Sequence, residues 1–205
     1  MAKTSPKNQP PQRVRIIAGL WRGRYLQVPS VPSVRPTPAR VRETVFNWLA
    51  GNVEHAECAD LYAGSGALGF EAASRGARQV TLVDRNRTVV QCLRQETQKF
   101  SATQIEVVHA RALAYIDCLR EPLDVLFIDP PFALGTELLE KTCAHLAASR
   151  ALKESSLVYV ESPADWAVRI PSRWTSLKSK QAGQVGYHLF AARPYVPSDP
   201  TTPPA

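Results

Sequence analysis

Short apolar runs alternate with segments of helical spacing from residue 58 onward, and this alternation limits the possible folds more than any other feature of the chain. Five runs have the length and composition of strands: Cys58 to Tyr62, Gln79 to Asp84, Ile105 to His109, Val125 to Asp129 and Leu157 to Glu161. Three segments between them have the length and apolar spacing of helices: Leu68 to Arg75, Thr88 to Phe100 and Thr136 to Ala148. Repeated strand–helix units predict a doubly wound α/β fold with a mostly parallel sheet.

The last part of the folded region has no helical spacing. Thr175 to Gln181 and Gln184 to Ala192 have strand-like composition and flank the turn Ala182-Gly183, which predicts an antiparallel hairpin. With the five earlier strands, this hairpin brings the predicted sheet to seven strands. The polar residues 1–12 and the proline-containing residues 194–205 predict tails without regular structure. The predicted α/β domain therefore covers residues 53–193.

An N-terminal extension, residues 13–52, precedes this domain. Val14 to Ile17 and Tyr25 to Val28 predict a hairpin, and three residues are expected near its tip: Trp21, Arg22 and Arg24. Thr37 is a typical N-cap residue followed by Pro38, and the apolar spacing that follows predicts a helix over residues 38–50. The apolar side of this helix should pack on the core, with Arg40 and Arg42 facing solvent.

The excess positive charge of the chain is concentrated at its N-terminus. Residues 1–48 contain nine lysines and arginines and one glutamate, whereas the remaining residues contain 16 basic and 17 acidic side chains. A nearly neutral body with a basic front is typical of proteins that bind nucleic-acid phosphates. We expect four arginines to contact such phosphates: Arg22, Arg24, Arg40 and Arg42.

Other features of the composition exclude several classes of protein. The four cysteines are 25 or more residues apart and the histidines are scattered, so neither a disulfide framework nor a metal site is predicted. No apolar run approaches the roughly 20 residues that cross a membrane, and the N-terminus has no apolar signal segment. We therefore expect a soluble cytoplasmic protein.

A glycine-rich turn follows the first strand of the α/β region. Gly64, Gly66 and Gly69 match the spacing G-x-G-x-x-G, in which glycines allow a tight turn and a close approach of the backbone to a ligand. Such turns also occur without a ligand. Here Asp84 lies 20 residues after Gly64, at the end of the next strand, where a carboxylate can accept both hydroxyl groups of a ribose. Together the two features predict a cofactor that contains ribose.

The fourth strand of this region ends in Asp129-Pro130-Pro131-Phe132. Ligands of open α/β sheets bind beyond the carboxyl ends of the strands, so this run should border the same crevice as Gly64 and Asp84. The prolines fix the backbone and remove N–H donors, which leaves the Asp129 carboxylate and the Pro130 carbonyl as a rigid pair of acceptors for an amino group. Phe132 is placed to stack on the base that carries this group. The run predicts chemistry at an exocyclic base nitrogen.

Several motifs together resemble the RsmD family of ribosomal RNA methyltransferases. They are Arg13 to Gly23, Arg35 to Thr37 with Arg40 to Thr44, the Gly64 turn, Asp129 to Phe132 and Ala182 to Val185. The resemblance extends over nearly the whole folded part. Members of this family methylate the N2 of one guanine, at position 966 of bacterial 16S ribosomal RNA, with S-adenosyl-L-methionine as the donor. The resemblance therefore implies a Rossmann-like class I methyltransferase and a methyl transfer by in-line displacement, without a covalent enzyme intermediate.

The resemblance also assigns roles to individual residues. Four of them line the methionine part of the cofactor in this assignment: Asp60, Ala63, Gly64 and Gly66. Asp84 binds the ribose, and the backbone of Ala112 contacts the adenine, since Arg111 stands where related enzymes often carry an acidic or amide residue. Asp129, Pro130, Pro131 and Phe132 take the catalytic role of holding the amine. The implied partner is 16S ribosomal RNA in an assembled or partly assembled small subunit, bound by a monomer without membrane association.

Three other functions agree with parts of this pattern. Methylation of adenine N6 in RNA or DNA uses similar acceptor chemistry, although a sequence-specific DNA enzyme is expected to carry a separate target-recognition domain. A nicotinamide-dependent oxidoreductase can use the same glycine turn, but it leaves Asp129 to Phe132 and the basic extension unexplained. A non-catalytic RNA-binding module would not depend on Asp129.

Overall fold

A computed structural model describes residues 12–32, 34–131, 136–166 and 169–193. The two predicted tails, except for Gln12, lie outside these ranges. Within them, the elements follow in the order β1 (Arg13–Arg15), β2 (Tyr25–Gln27), α1 (Ala39–Trp48), β3 (Glu57–Asp60), α2 (Ala67–Ser74), β4 (Gln79–Asp84), α3 (Arg87–Phe100), β5 (Ile105–His109), α4 (Ala112–Cys118), β6 (Leu123–Ile128), α5 (Glu137–Ala148), β7 (Leu152–Pro163), β8 (Trp174–Ala182) and β9 (Val185–Ala192). None of the helices in this part of the chain is long and apolar enough to cross a membrane.

The larger sheet has seven strands in the order β5-β4-β3-β6-β7-β9-β8. The first five of these strands are parallel, and β9 is antiparallel to both β7 and β8. The chain leaves β3 toward β4 on one side and returns to β6 on the other, so a topological switch point lies between β3 and β6. A crevice for ligands is expected beyond the strand ends at such a point. The predicted doubly wound fold, with seven strands and an antiparallel C-terminal hairpin, is confirmed.

Two elements differ from the sequence-based expectation. The helix α4 was not predicted, because its seven residues are too few to establish a helical period. The strand β7 begins at Leu152, five residues before the predicted start at Leu157. A register shift interrupts its pairing with β6, and the buried hydroxyl of Ser156 bonds to the backbone of Lys153 and Leu123 there. This irregular pairing hides the first part of the strand from pattern analysis.

The N-terminal extension packs on one face of the large sheet. Its strands β1 and β2 form the predicted antiparallel hairpin as a separate two-stranded sheet. Apolar residues of the extension, of α2 and α3 and of the sheet belong to one core cluster, in which the ring centroids of Phe46 and Phe127 lie 5.9 Å apart. A second cluster lies between the opposite face and the helices α4 and α5. The extension is therefore part of the layer that covers this face of the sheet, together with α2 and α3.

Tertiary contacts hold two side chains of the extension. Trp21 lies in the loop between β1 and β2, near the tip as predicted, but it is only 4% exposed and packs against the rings of Phe70 and Phe100, so it is a core residue. The N-cap of α1 is Pro38, without a side-chain cap. The side chain of Thr37 is instead buried and bonds to Glu161. Tertiary contacts thus bury two side chains whose surroundings the local sequence pattern did not predict.

Candidate active site

The turn from β3 into α2 is tied to the end of β4. Gly64 and Gly66 have φ values of 48° and 74°, in the left-handed region that favours glycine. The backbone N of Gly64 donates to Asp84 Oδ2 at 3.1 Å, and the backbone N of Ala63 donates to the carbonyl of Val83 at 2.9 Å. The predicted ribose-binding carboxylate and the predicted glycine turn are therefore in direct contact.

The three glycines of the motif lack a side chain for different physical reasons. A Cβ on Gly69 would lie 2.1 Å from Leu82 Cδ2, and one on Gly66 would lie 2.7 Å from Leu93 Cδ2, so both positions serve close packing of α2. A Cβ on Gly64 would approach no atom closer than 3.7 Å. Gly64 is thus the member of the motif whose backbone suits the approach of a ligand.

Asp84 is half-buried, and its carboxylate connects two loops. While Oδ2 accepts from Gly64, Oδ1 accepts from the backbone N of Asn86 at 2.8 Å. Burial raises the pKa of Asp84, and the amides of Asn86 and Gly64 lower it. Asn86 is the N-cap of α3 and accepts from the amide of Thr88, which explains an asparagine at this place. Each carboxylate oxygen of Asp84 retains a lone pair that can accept a hydrogen bond from a ribose hydroxyl.

Asp60, at the end of β3, is only 2% exposed. Its Oδ1 has no hydrogen-bond partner among the described residues. Burial raises the pKa of Asp60 to about 7, the amides of Tyr62 and Gly69 lower it, and the charges of Asp84 and Glu161 raise it. A buried acceptor without a donor costs free energy. The atom therefore marks a place where a ligand with an N–H group would find a partner.

Asp129 directly follows β6, beside the ends of β3 and β7. Ile128 is paired with Val160 in the parallel register, so Asp129, just beyond the end of β6, is next to Glu161, two residues before the end of β7. Burial raises the pKa of the Asp129 carboxyl well above its ordinary value, and the charges of Glu161 and Asp60 raise it further. Pro130 is buried and Pro131 half-buried. The fourth predicted catalytic residue, Phe132, lies outside the described residues.

Glu161, on β7, is a member of this site that the sequence analysis did not select. It is 3% exposed, and its Oε1 accepts from the hydroxyl of Tyr159 at 2.9 Å. Burial raises the pKa of Glu161 to about 7, and hydrogen bonds from the side chains of Tyr159 and Thr37 lower it. Because Thr37 belongs to the N-terminal extension, the extension forms part of the wall of the site.

Ala112 lies one strand further along the sheet than Asp84, beyond the end of β5. It is the buried first residue of α4, just after β5, and β5 is paired with β4 so that His109 lies opposite Asp84. Its backbone is therefore at the same edge of the sheet as the predicted ribose site. The side chain of Arg111 is exposed.

The four arginines predicted to contact phosphates do not all reach the surface. Arg22, Arg24 and Arg40 are exposed, and the guanidinium of Arg24 stacks 3.9 Å above the ring of Phe100. Arg42 is 2% exposed and forms an ion pair with Glu71 at 3.2 Å. It also donates to the backbone carbonyls of Thr37 and Arg15. The expected outward position of Arg42 is wrong, because the fully buried carboxylate of Glu71 draws it inward.

The strand order, the glycine turn and the Asp-Pro-Pro end of β6 define the chain as a Rossmann-like methyltransferase. Residues 14–191 match the family model described as Conserved hypothetical protein 95. The chain belongs to the family of ribosomal RNA small subunit methyltransferase D. It is 42% identical over 186 residues to that protein of Escherichia coli, covering 90% of this chain and 93% of the relative. The Haemophilus influenzae protein of the same name is 44% identical over 184 residues, covering 86% and 93%.

Solved structures agree with this assignment. The structure of an Escherichia coli relative superposes with a TM-score of 0.80 at 41% identity. The match covers 90% of this chain and 100% of the relative. A Haemophilus influenzae relative gives a TM-score of 0.76 at 40% identity, covering 89% and 99%. The precorrin-6y C5,15-methyltransferase of Geobacter metallireducens, at 19% identity and a TM-score of 0.57, covers 77% of this chain and 90% of that one, and shares the fold.

Proposed function

We propose that this chain transfers a methyl group from S-adenosyl-L-methionine to the exocyclic N2 of one guanine in the 16S ribosomal RNA of the small ribosomal subunit. The observation that carries the proposal is the position of Asp129, next to Pro130 at the topological switch point of the sheet and beside the glycine turn. The relatives named ribosomal RNA small subunit methyltransferase D support a ribosomal substrate.

The residues around the crevice fit this cofactor. The unpartnered Oδ1 of Asp60 suits the ammonium group of the methionine part, next to the open backbone of Gly64. Asp84 would accept the ribose hydroxyls, and the backbone of Ala112 would border the adenine. When bound, the cofactor supplies a methyl group on a positively charged sulfur. An amine that attacks this methyl group displaces the sulfur from it.

The chain itself contributes by holding the target amine. The nitrogen of a base amino group is a poor nucleophile, because its lone pair is delocalised into the ring. The Asp129 carboxylate and the Pro130 carbonyl, as acceptors for its two N–H groups, favour the pyramidal form that attacks. A negative carboxylate also stabilises the positive charge that develops on this nitrogen, and this interaction grows toward the transition state. It therefore raises the rate of transfer more than the affinity for RNA.

The basic extension supplies the proposed RNA surface. The exposed arginines Arg22, Arg24 and Arg40 are candidates for phosphate contacts, and Arg42 is withdrawn because it is buried. Three side chains make a small surface for a ribosomal substrate. We therefore propose an assembled or partly assembled subunit as the substrate, in which ribosomal proteins complete the binding site.

Nucleoside analysis tests this proposal. Small subunits that lack the modification are incubated with the chain and cofactor carrying a labelled methyl group, and the RNA is digested. We expect label in N2-methylguanosine, and a loss of about 100-fold or more in the transfer rate for Asp129→Ala, with cofactor affinity retained. Label in N6-methyladenosine would instead support an adenine enzyme. RNA binding without label, unchanged in Asp129→Ala, would identify a binding module.

A further inference from the structure

Three carboxyl groups meet on the sheet face that the N-terminal extension covers. Asp60 is paired with Phe127 and Phe127 with Tyr159, so these side chains share a face. Asp129 and Glu161 lie two residues further along β6 and β7, and therefore on the same face. The ion pairs formed by the described residues all lie elsewhere. Burial raises the pKa of all three carboxyl groups, and the charge of Glu161 raises the pKa of Asp60 and Asp129 further, so bound protons limit the charge of the cluster.

The hydroxyl donors in this cluster are distributed unequally. Glu161 accepts from the hydroxyl of Tyr159, and from Thr37 of the extension. Burial and the facing charges of Glu161, Asp129 and Tyr187 raise the pKa of Tyr159, so it remains a donor. No hydrogen bond to the Asp129 carboxyl is formed by the described residues. When one proton is shared, the charge therefore rests on Glu161 and the proton on Asp129 before the amine binds.

A bound target amine reverses this preference. Its N–H group donates to Asp129 and favours the charge there, and the positive charge that develops on the nitrogen strengthens the effect. Two ionised carboxylates side by side in a buried site are unfavourable. The charge can therefore move to Asp129 only if Glu161 becomes neutral.

We propose that Asp129 and Glu161 hold one proton between them, and that Glu161 is a positioning residue that takes this proton when the target amine donates to Asp129. The O–H bond on Asp129 breaks and one on Glu161 forms, with no net change in protons. After methyl transfer, the extra proton of the nitrogen passes to the Asp129 carboxylate and then to water. This inference rests on the proposed function, because it assumes that Asp129 holds the amine.

The pH dependence of single-turnover methyl transfer tests the role of Glu161. The groups that face the pair are Asp60 and Tyr159, and Asp84 acts in turn on Asp60. In wild type the first proton leaves Glu161, whose carboxylate accepts hydrogen bonds from Tyr159 and Thr37, whereas in Glu161→Gln it must leave Asp129, which lacks such donors. At subsaturating substrate we therefore expect the acid limb of the profile to move up by about one pH unit, which makes the rate at its acid end about tenfold smaller relative to the maximum. Ser162→Ala, at the buried neighbouring position on the opposite face, should leave the limb in place.

A merely structural Glu161 would give a different result: Glu161→Gln would then lower the rate by the same factor at every pH, and the inference would be overturned. Carboxyl ¹³C NMR of the cofactor-bound chain gives a readout that does not depend on activity. Wild-type Asp129 and Glu161 should titrate together, and separate titrations with both groups ionised at neutral pH would exclude the shared proton, even if Glu161→Gln does not fold. Coupled titration without N2-methylguanosine formation would contradict the proposed function and leave the proton pair intact.

Discussion

At the scale of single residues, Asp84 shows how one carboxylate can join several parts of a site. It accepts from the amide of Gly64 in the glycine turn and from the amide of Asn86 before α3, and two lone pairs remain. The same group therefore sets the shape of the crevice and can bind a ligand in it.

We predict that Asp84→Asn weakens cofactor binding by about 10- to 100-fold, because hydrogen bonds to a charged acceptor contribute about 1.5–3 kcal/mol. Titration calorimetry with S-adenosyl-L-methionine measures this change. Asp124→Asn is a matched control, since Asp124 lies on β6 near the opposite end of the sheet and binds the amide of Glu57. Equal affinities for wild type and Asp84→Asn would remove Asp84 from the cofactor site.

The acidic residues of the site also show what a sequence can predict at this scale. Asp84 and Asp129 were selected because each ends an apolar strand and accompanies a recognisable motif. Glu161 ends the central apolar run of β7 in the same way, but it has no motif beside it. Its partners Thr37 and Tyr159, and its neighbour Asp129, come together only through strand pairing and the packing of the extension. The signal in the sequence that could have found Glu161 is that three predicted strands end in an acidic residue: Asp84, Asp129 and Glu161.

At the scale of elements, Glu71 joins the extension to α2. It is fully buried and accepts from the backbone amides of Ile17 and Ala18 as well as from Arg42 and Arg75. The helical spacing over α1 predicted an apolar face, of which Val41, Val45 and Leu49 are buried and Trp48 is half-buried. It could not place Arg42 on that face, because the carboxylate that pairs with Arg42 belongs to another helix.

We predict that Arg42→Met lowers the free energy of unfolding by about 3 kcal/mol, near the lower end of the range for a broken buried ion pair, since Glu71 retains Arg75 and two amides. Arg40→Met is the matched control on the same helix; its exposed side chain should change stability by no more than about 0.5 kcal/mol. Urea unfolding at neutral pH compares the two variants. Similar losses for both would show that the Arg42–Glu71 pair does not secure the extension.

At the scale of the whole molecule, the extension and the α/β sheet share one hydrophobic core. The predicted boundary between residues 52 and 53 therefore separates two parts of the sequence that pack as one body. The exposed arginines of the extension are fixed relative to the proposed catalytic site as a result, because Thr37 is hydrogen-bonded to Glu161 and α1 packs on the sheet. A rigid basic surface of this kind can bind RNA phosphates and orient the target base at the same time.

The salt dependence of binding distinguishes this basic surface from a general effect of positive charge. We predict that Arg22→Ala combined with Arg40→Ala weakens binding to small subunits and reduces the slope of log affinity against log salt by about 0.7 to 0.9 for each lost phosphate contact. The control removes the same charge elsewhere, with Arg120→Ala and Arg150→Ala, whose side chains are also exposed. Because counterions are released only where phosphates are neutralised, the control slope should equal that of wild type. If both double variants reduce the slope equally, the N-terminal arginines act only through net charge, and the proposed RNA surface must be placed elsewhere.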